Sequence, residues 1–184
     1  MAFIRLWIVV IALWLGGCTV QSPSSEATYY LVRHAEKTLE KDDPGLTTAG
    51  RKRAQDLSQR LANIPLSKIY SSDYIRTRQT AAPVAEAKEL SVEIYDPRDL
   101  DSFAKKLLAQ DGHILVVGHS NTTPQLSGFL GGEAGEPIIE ATEYNRFYIV
   151  TRQGSKVTSV IETFGIRLSE RGLGLHFYPP NHRF

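Results

Sequence analysis

The chain has 184 residues with 21 Lys and Arg, 20 Asp and Glu, and a single Cys, which is the size of one ordinary domain. An apolar content of 42% excludes a disordered chain, and a single Cys excludes both a disulfide framework and a Cys-rich zinc site. A formal net charge of +1 provides no general attraction to nucleic acid, so we expect no nucleic-acid partner.

Residues 1–17 have the pattern of a secretory signal peptide. Arg5 precedes an uncharged apolar run over residues 6–15, and the small residues Gly16 and Gly17 follow it. This run has ten residues, whereas a membrane-spanning helix needs about 20. We therefore expect a cleaved signal rather than a permanent transmembrane anchor or a buried core segment.

The sequence around Cys18, Leu-Gly-Gly-Cys, resembles a bacterial lipobox. This resemblance implies that Cys18 is acylated and anchors the mature protein to a membrane; a plain cleaved signal is the alternative. Residues 18–26 are rich in Ser, Pro and Thr and are typical of a flexible tether, so we expect the folded domain over residues 27–184. The protein is then exported and faces the periplasm or the cell exterior. Thr19, rather than Asp, favours the outer membrane by resemblance to sorted lipoproteins.

The next part of the chain predicts an α/β domain with a largely parallel sheet, because short β-branched or aromatic runs alternate with longer amphipathic stretches. The predicted elements in chain order are a strand over 28–32, a helix over 48–63, a strand over 67–70, a helix over 74–90, a strand over 92–95, a helix over 100–110, a strand over 113–117 and a helix over 121–130. Pro83 predicts a kink or a restart in the second helix, and Gly112 the end of the third. The strand over 113–117 is the most apolar, so we expect it near the centre of the sheet.

The last predicted elements are two strand-like runs, over residues 146–151 and 156–164, joined by a turn at Gly154. Such a pair forms an antiparallel hairpin. The predicted fold is therefore a three-layer α/β/α sandwich with a mostly parallel central sheet and an antiparallel edge hairpin. Residues 165–184 have no clear periodicity.

Polar residues follow three of the predicted strands at their carboxyl ends, where open α/β sheets bind their ligands. Arg33 and His34 follow the first strand, Arg76 lies just beyond the second, and His119 follows the apolar strand. Guanidinium groups bind phosphate oxygens in a fork, and a neutral imidazole nitrogen can attack phosphorus. This combination favours a site for a phosphoryl group.

These residues also lie in motifs that resemble the histidine phosphatase superfamily, in its phosphoglycerate mutase-like branch. Arg33-His34-Ala35 is similar to the family's Arg-His-Gly signature, with Ala35 in the Gly position. Three further matches are residues 46–50 to its Leu-Thr-x-x-Gly, residues 71–81 to its Ser-Ser-x-x-x-Arg-x-x-Gln-Thr-Ala, and residues 118–120 to its Gly-His followed by Ser or Gly. The matches run in the family's order over about residues 28–165, and this agreement is far more specific than Arg-His alone.

The resemblance implies a role for each of the four central residues. His34 is the nucleophile that takes the phosphoryl group, and Arg33, Arg76 and His119 hold its oxygens. His119 is expected to be protonated, and His34 neutral on its attacking nitrogen with the other ring nitrogen bonded to a backbone carbonyl. The scheme implies no metal and no cofactor.

The general acid that protonates the leaving oxygen remains open between several residues. Family members often carry it shortly after the third strand, where Asp96, Asp99 and Asp101 stand, and the candidates we favour are Asp99 and Asp101. Either of these two can instead cap the following helix. Glu36 is a further candidate, and Ser120 replaces the carboxylate that the acid-phosphatase branch has after its second His.

Several other polar and aromatic residues are expected to be structural or exposed. They are Arg78, the run Arg51-Lys52-Arg53 as a solvated helix face, His113, His176, His182, and the pairs Tyr29-Tyr30 and Tyr144 with Tyr148 as packing residues.

The expected function is that of a lipid-anchored phosphohydrolase, which cleaves phosphomonoesters or phosphohistidine through an intermediate on His34. Its substrate is a phosphorylated small molecule or a phosphoprotein. Two alternatives remain: a non-catalytic phosphoryl-binding or scaffold lipoprotein of the same fold, and a phosphoglycerate-type mutase. The shortness and export of the chain make the mutase the weaker of these.

Overall fold

A computed structural model describes residues 25–165 of the protein; the predicted signal peptide, Cys18, His176 and His182 lie outside this range. Six strands form one sheet: β1 (Glu26–Arg33), β2 (Leu66–Ser72), β3 (Val92–Tyr95), β4 (Gly112–Gly118), β5 (Arg146–Gln153) and β6 (Lys156–Thr163). Four helices connect or cover them: α1 (Thr48–Arg60), α2 (Ile75–Lys88), α3 (Leu100–Leu108) and α4 (Thr122–Phe129). Among the helices within 25–165, none is both long and apolar enough to cross a membrane.

The sheet has the strand order β3-β2-β4-β1-β5-β6. The pairs β2–β3, β2–β4 and β1–β4 are parallel, whereas β1–β5 and β5–β6 are antiparallel. The predictions of a mixed sheet, a central apolar strand and an edge hairpin are therefore confirmed. Because β1, β2 and β4 are parallel neighbours, their carboxyl ends meet at one edge.

Alternating residues of β1 divide the core into two layers, since successive side chains of a strand point to opposite faces. Tyr29 and Leu31 pack in the cluster that contains the buried residues of α3 and α4. Tyr30 and Val32 pack in the cluster that contains those of α1 and α2. The sheet thus has two helices on each face, as the predicted three-layer sandwich requires.

The predicted helix boundaries need small corrections. Each helix begins within one residue of its predicted start and ends one to three residues early. Helix α2 is continuous through Pro83, so the predicted restart is wrong. Gly112 begins β4 instead of closing α3, whose C-cap is Ala109.

Candidate active site

His34 follows β1 directly and is buried, with 3% of its surface exposed. Its Nδ1 lies 2.8 Å from the Ala35 carbonyl oxygen. A carbonyl can only accept, so Nδ1 carries the proton and Nε2 carries the lone pair. Burial lowers the pKa of His34 to about 3, and the nearby charges of Arg33 and Arg76 act in the same direction. The neutral ring and the fixed tautomer that the resemblance implies for His34 are present in this geometry.

Arg33, the last residue of β1, is among the most deeply buried side chains of the protein. Its Nη1 donates to the Glu143 carbonyl at 3.0 Å, and its guanidinium carbon lies 4.1 Å from the centre of the Tyr144 ring. Its Nε and Nη2 are buried without a hydrogen-bond partner among the described residues. Burial lowers the pKa of Arg33. Unpaired buried N–H groups on a cation are the donors that an anionic ligand would fill.

Arg76 lies in the first turn of α2, which begins at the carboxyl edge of the sheet. Its guanidinium carbon is 4.3 Å from the centre of the Tyr74 ring, and its Nη1 is 3.4 Å from an oxygen of Asp43. Its Nε, like that of Arg33, is buried without a partner in the described part of the chain. The charge of Arg76 lowers the pKa of Arg33 and of His34, which shows that the three groups converge.

His119 follows β4, and its ring lies edge-on to the His34 ring with centres 5.6 Å apart. The Thr77 hydroxyl donates to the Ser72 and Tyr74 carbonyls, so it accepts from the Ser72 hydroxyl at 3.2 Å. The Ser72 oxygen is then free to accept from His119 Nε2 at 2.8 Å. This chain of hydrogen bonds leaves the lone pair of the neutral His119 ring on Nδ1.

The protonation state of His119 depends on what occupies the site. Burial lowers its pKa to about 4, with the charges of Arg76 and Arg33 acting in the same direction. In the protein alone the ring is therefore neutral near pH 7. A bound anion would favour the protonated form, so the cationic His119 that the resemblance implies would require an occupied site.

The other residues of the family-like motifs have structural explanations. Gln79 accepts from the Leu46 amide at 2.7 Å, and Thr80 accepts from the Ala35 amide at 2.9 Å. Helix α2 therefore braces the loop that follows His34 at two points. A side chain at Gly118 would meet the Tyr95 hydroxyl at 2.8 Å, which explains the glycine before His119.

The Leu-Thr-x-x-Gly stretch docks α1 against the same loop. The Thr47 side chain caps the helix by accepting from the Gly50 amide at 3.0 Å. The Thr47 amide donates to the Glu36 carbonyl at 2.9 Å. A Cβ at Gly50 would lie 2.2 Å from that same carbonyl oxygen, so only glycine allows the helix to approach so closely.

The prediction that Arg53 belongs to a solvated face is wrong. Arg53 is buried and forms an ion pair with Glu36, with Nη2 2.8 Å from Oε1 and Nε within 3.1 Å of both carboxylate oxygens. It also lies 3.3 Å from the Phe164 carbonyl. Arg51 and Lys52 are exposed, as expected. The contacts of Glu36 are those of a structural ion pair and do not favour its role as the acid.

The two aspartates expected as general acids make structural contacts. Asp99 caps α3 by accepting from the Ser102 amide at 3.2 Å, and Asp101 pairs with Lys105 one turn along the helix. Both side chains are exposed. Asp96 accepts from Arg98, and these hydrogen bonds lower its pKa to about 2. The geometry favours the capping role for Asp99 and a helix-surface role for Asp101.

Two tyrosines belong to the site although the sequence did not indicate them. Tyr144 covers Arg33, and its ring centre is 6.2 Å from that of His34, so its assignment to packing alone is wrong. Tyr74 lies edge-on to His119 at 5.0 Å and lines a cleft of about 420 Å³ beside the site. No spacing in the motifs around Arg33, His34 and Arg76 indicates a role for either tyrosine ring.

The remaining structural predictions hold where the structure tests them. Arg78 forms an exposed ion pair with Asp73. The His113 Nδ1 bonds to the Tyr30 hydroxyl at 3.1 Å, at the opposite end of β4 from His119. Within residues 25–165, no group of three or more His, Cys, Asp or Glu side chains is arranged to hold a metal ion.

Known proteins share both motifs and fold with this chain. Residues 29–98 match the profile of the histidine phosphatase superfamily (branch 1). Phosphoserine phosphatase 1 of Hydrogenobacter thermophilus is 44% identical over 69 residues, which are 34% of this chain and 33% of that protein. The matches to curated relatives span only between 29% and 43% of their lengths.

Solved structures extend the likeness to the fold. The protein histidine phosphatase SixA complexed with tungstate superposes with a TM-score of 0.58 at 17% identity, covering 74% of this chain and 95% of that one. The phosphoglycerate mutase of Bacillus anthracis superposes with a TM-score of 0.56 at 17% identity, covering 77% and 93%. Residues 29–98 therefore resemble the histidine phosphatase superfamily in sequence, and the mixed six-stranded sheet has the fold of these solved structures.

Proposed function

We propose that the protein is a phosphohydrolase that cleaves phosphomonoesters or phosphohistidine through a phosphohistidine intermediate on His34. One observation carries this proposal. Buried, unpaired guanidinium N–H groups of Arg33 and Arg76 converge beside the Nε2 lone pair of His34. A tetrahedral dianion satisfies both guanidinium groups and presents phosphorus to the nucleophile.

The reaction then proceeds in two displacements. The Nε2 lone pair of His34 attacks phosphorus, and the P–O bond to the leaving group breaks. Arg33, Arg76 and protonated His119 hold the three non-bridging oxygens and stabilise the charge that develops in the transition state. Water then attacks the phosphohistidine, which releases inorganic phosphate and returns the electron pair to Nε2.

The substrate of the reaction is a phosphorylated small molecule or a phosphoprotein. The cleft beside Tyr74 opens next to His119 and provides room near the phosphoryl pocket. Transfer to water, rather than to a second phosphorylated metabolite, distinguishes this proposal from a mutase.

The proposal is tested with p-nitrophenyl phosphate and a phosphohistidine peptide in buffer containing EDTA. We expect turnover by the wild type, none by His34→Ala, and wild-type rates for His113→Gln, which changes a histidine at the far end of β4. Equal, near-zero rates for wild type and His34→Ala, with phosphate still bound, would favour the non-catalytic alternative. Phosphoryl transfer to 3-phosphoglycerate in preference to water would favour the mutase.

The covalent intermediate has its own test. Rapid quenching with radiolabelled substrate should trap a phosphoenzyme that is labile in acid and stable in alkali, as a phosphoramidate is. The label should be absent from His34→Ala and present in His113→Gln. A label that survives acid, or that persists without His34, contradicts the proposed nucleophile.

We further propose that the protein is exported and held to a membrane, the outer one where two exist, through acylation of Cys18. The support is the lipobox-like sequence at Cys18 with the tether composition of residues 18–26. Radiolabelled palmitate should be incorporated by the wild type and not by Cys18→Ser, which should leave the membrane fraction. A Cys18→Ser protein that stays membrane-bound contradicts the proposal.

A further inference from the structure

The loop between α4 and β5 brings a carboxylate to the solvent side of the phosphoryl pocket. The Glu140 Oε1 atom lies 4.0 Å from Nη2 of Arg33, beyond hydrogen-bond distance, and the Glu140 side chain is 72% exposed. Nη2 itself is buried without a hydrogen-bond partner in the described range. Glu140 therefore lies beside Arg33 Nη2, a donor that would bind a phosphoryl oxygen, but forms no hydrogen bond with it.

Two other carboxylates near the site are occupied as acceptors. Both oxygens of Asp43 accept from the Ile75 amide, at 3.0 and 3.1 Å, and one contacts Arg76. Both oxygens of Glu36 accept from Arg53. Transferring a proton from either group to a substrate would require these contacts to break.

The carboxylates on either side of the site are also engaged. Glu143 accepts from the Ile139 amide at 3.0 Å and pairs with Arg146. Asp96 accepts from Arg98, which holds its pKa at about 2, so this group is ionised near pH 7. Among the acidic side chains with described contacts at the site, Glu140 is the one whose oxygens accept no hydrogen bond in those contacts.

We propose that Glu140 is the general acid of the reaction, donating a proton to the leaving oxygen. The inference rests on the proposed function. A bound phosphoryl group would take the donors of Arg33, and its leaving oxygen would then lie within reach of the Glu140 carboxyl group, which no other described contact holds.

The proton and electron balance closes over the two steps. In the first, the N–P bond forms, the P–O bond breaks, and its electron pair goes to the leaving oxygen, which takes the proton of the Glu140 carboxyl group. In the second, the Glu140 carboxylate accepts a proton from the attacking water as the new P–O bond forms. The N–P electron pair returns to His34, and Glu140 is again protonated.

The test compares substrates that differ in their need for a proton. An alkyl phosphate such as ethyl phosphate expels a basic alkoxide, whereas p-nitrophenyl phosphate expels a stable anion. For Glu140→Gln we expect kcat/KM to fall about 100-fold or more with the alkyl phosphate, a typical contribution of general acid catalysis, and far less with p-nitrophenyl phosphate.

The control is Glu136→Gln, which changes an exposed carboxylate of the same loop and should match the wild type with both substrates. An equal loss with both substrates would indicate that Glu140 only positions Arg33, and no loss with the alkyl phosphate would also overturn the inference. In both cases a His34-dependent wild-type activity leaves the proposed function intact. A wild type without turnover or acid-labile label refutes the proposed function, and the inference with it.

Discussion

The buried ion pair between Glu36 and Arg53 leads to a quantitative prediction about stability. The two side chains are 8% and 6% exposed, and α1 holds Arg53 against the segment that follows His34. Arg53→Met leaves the Glu36 carboxylate buried without its cation. Removing one partner of a buried pair destabilises a protein by about 3–5 kcal/mol, because the remaining charge is neither paired nor hydrated.

The magnitude is large enough to measure by thermal unfolding followed by circular dichroism. For a domain of this size, a loss of about 3–5 kcal/mol lowers Tm by about 10–15 °C. Lys52→Met is the matched control, because Lys52 lies on the same helix and forms an exposed pair with Asp56. Exposed pairs contribute little to stability, so its Tm should equal that of the wild type within error.

A double variant separates charge from packing. Glu36→Met with Arg53→Met replaces both charges by apolar chains of similar length, and such replacements are often close to neutral. We expect the double variant to recover at least half of the Tm lost by Arg53→Met. An Arg53→Met protein as stable as Lys52→Met, or a double variant as unstable as the single one, would refute the reasoning.

Three further predictions follow from the geometry of the site. In an NMR pH titration of the protein alone, neither His34 nor His119 should titrate between pH 6 and 8. Tungstate should raise the pKa of His119 but leave the His34 ring neutral. A ring that titrates near 6.5 in the protein alone contradicts the assigned burial. Both histidine pKa values lie below the unfolded value of 6.5, so the unfolded state binds more protons in acid. The free energy of unfolding, measured by urea titration, should be highest above pH 7 and fall towards pH 4, by up to about 1.4 kcal/mol for each ring at pH 5.5. A free energy of unfolding that does not change over this range contradicts the prediction. Gly50→Ala should lower kcat/KM at least tenfold, because the added Cβ displaces Glu36 and the loop after His34. Gly128→Ala is the control and should match the wild type, since a Cβ there meets open space. Equal activities of the two variants would show that the loop adjusts without a change at the site.

The sequence predicted the fold and the four central residues because both depend on local, periodic signals. The apolar run of β4 and the aromatic and β-branched run of β1 reflect their burial in the middle of the sheet. Arg33, His34, Arg76 and His119 stand where parallel strands end, so topology alone brings them together. The position of these four residues can therefore be predicted without knowing how the loops fold.

The errors concern residues whose partners are distant in sequence. Tyr144 contacts Arg33 from a loop without periodicity, more than 100 residues away, and no local pattern marks it. Arg53 could have been found, since it lies three residues after Gly50 and four before Leu57 on the buried face of α1. A cation on such a face requires a buried acid, and Glu36, two residues after His34, was available.

The central position of β1 predicts that the His34 amide and the loop before β5 exchange their hydrogens with solvent at different rates. The strand is hydrogen-bonded on one side to β4 and on the other to β5, and the His34 amide itself donates to the Gly118 carbonyl at 2.9 Å. The His34 amide should exchange its hydrogen with solvent only when the whole domain unfolds. The loop that carries Glu140 and Tyr144 lies outside the sheet, so its amides are expected to exchange faster than that of His34. Slow exchange at His34 together with faster exchange in this loop would mean that His34 keeps its position while the loop beside it fluctuates.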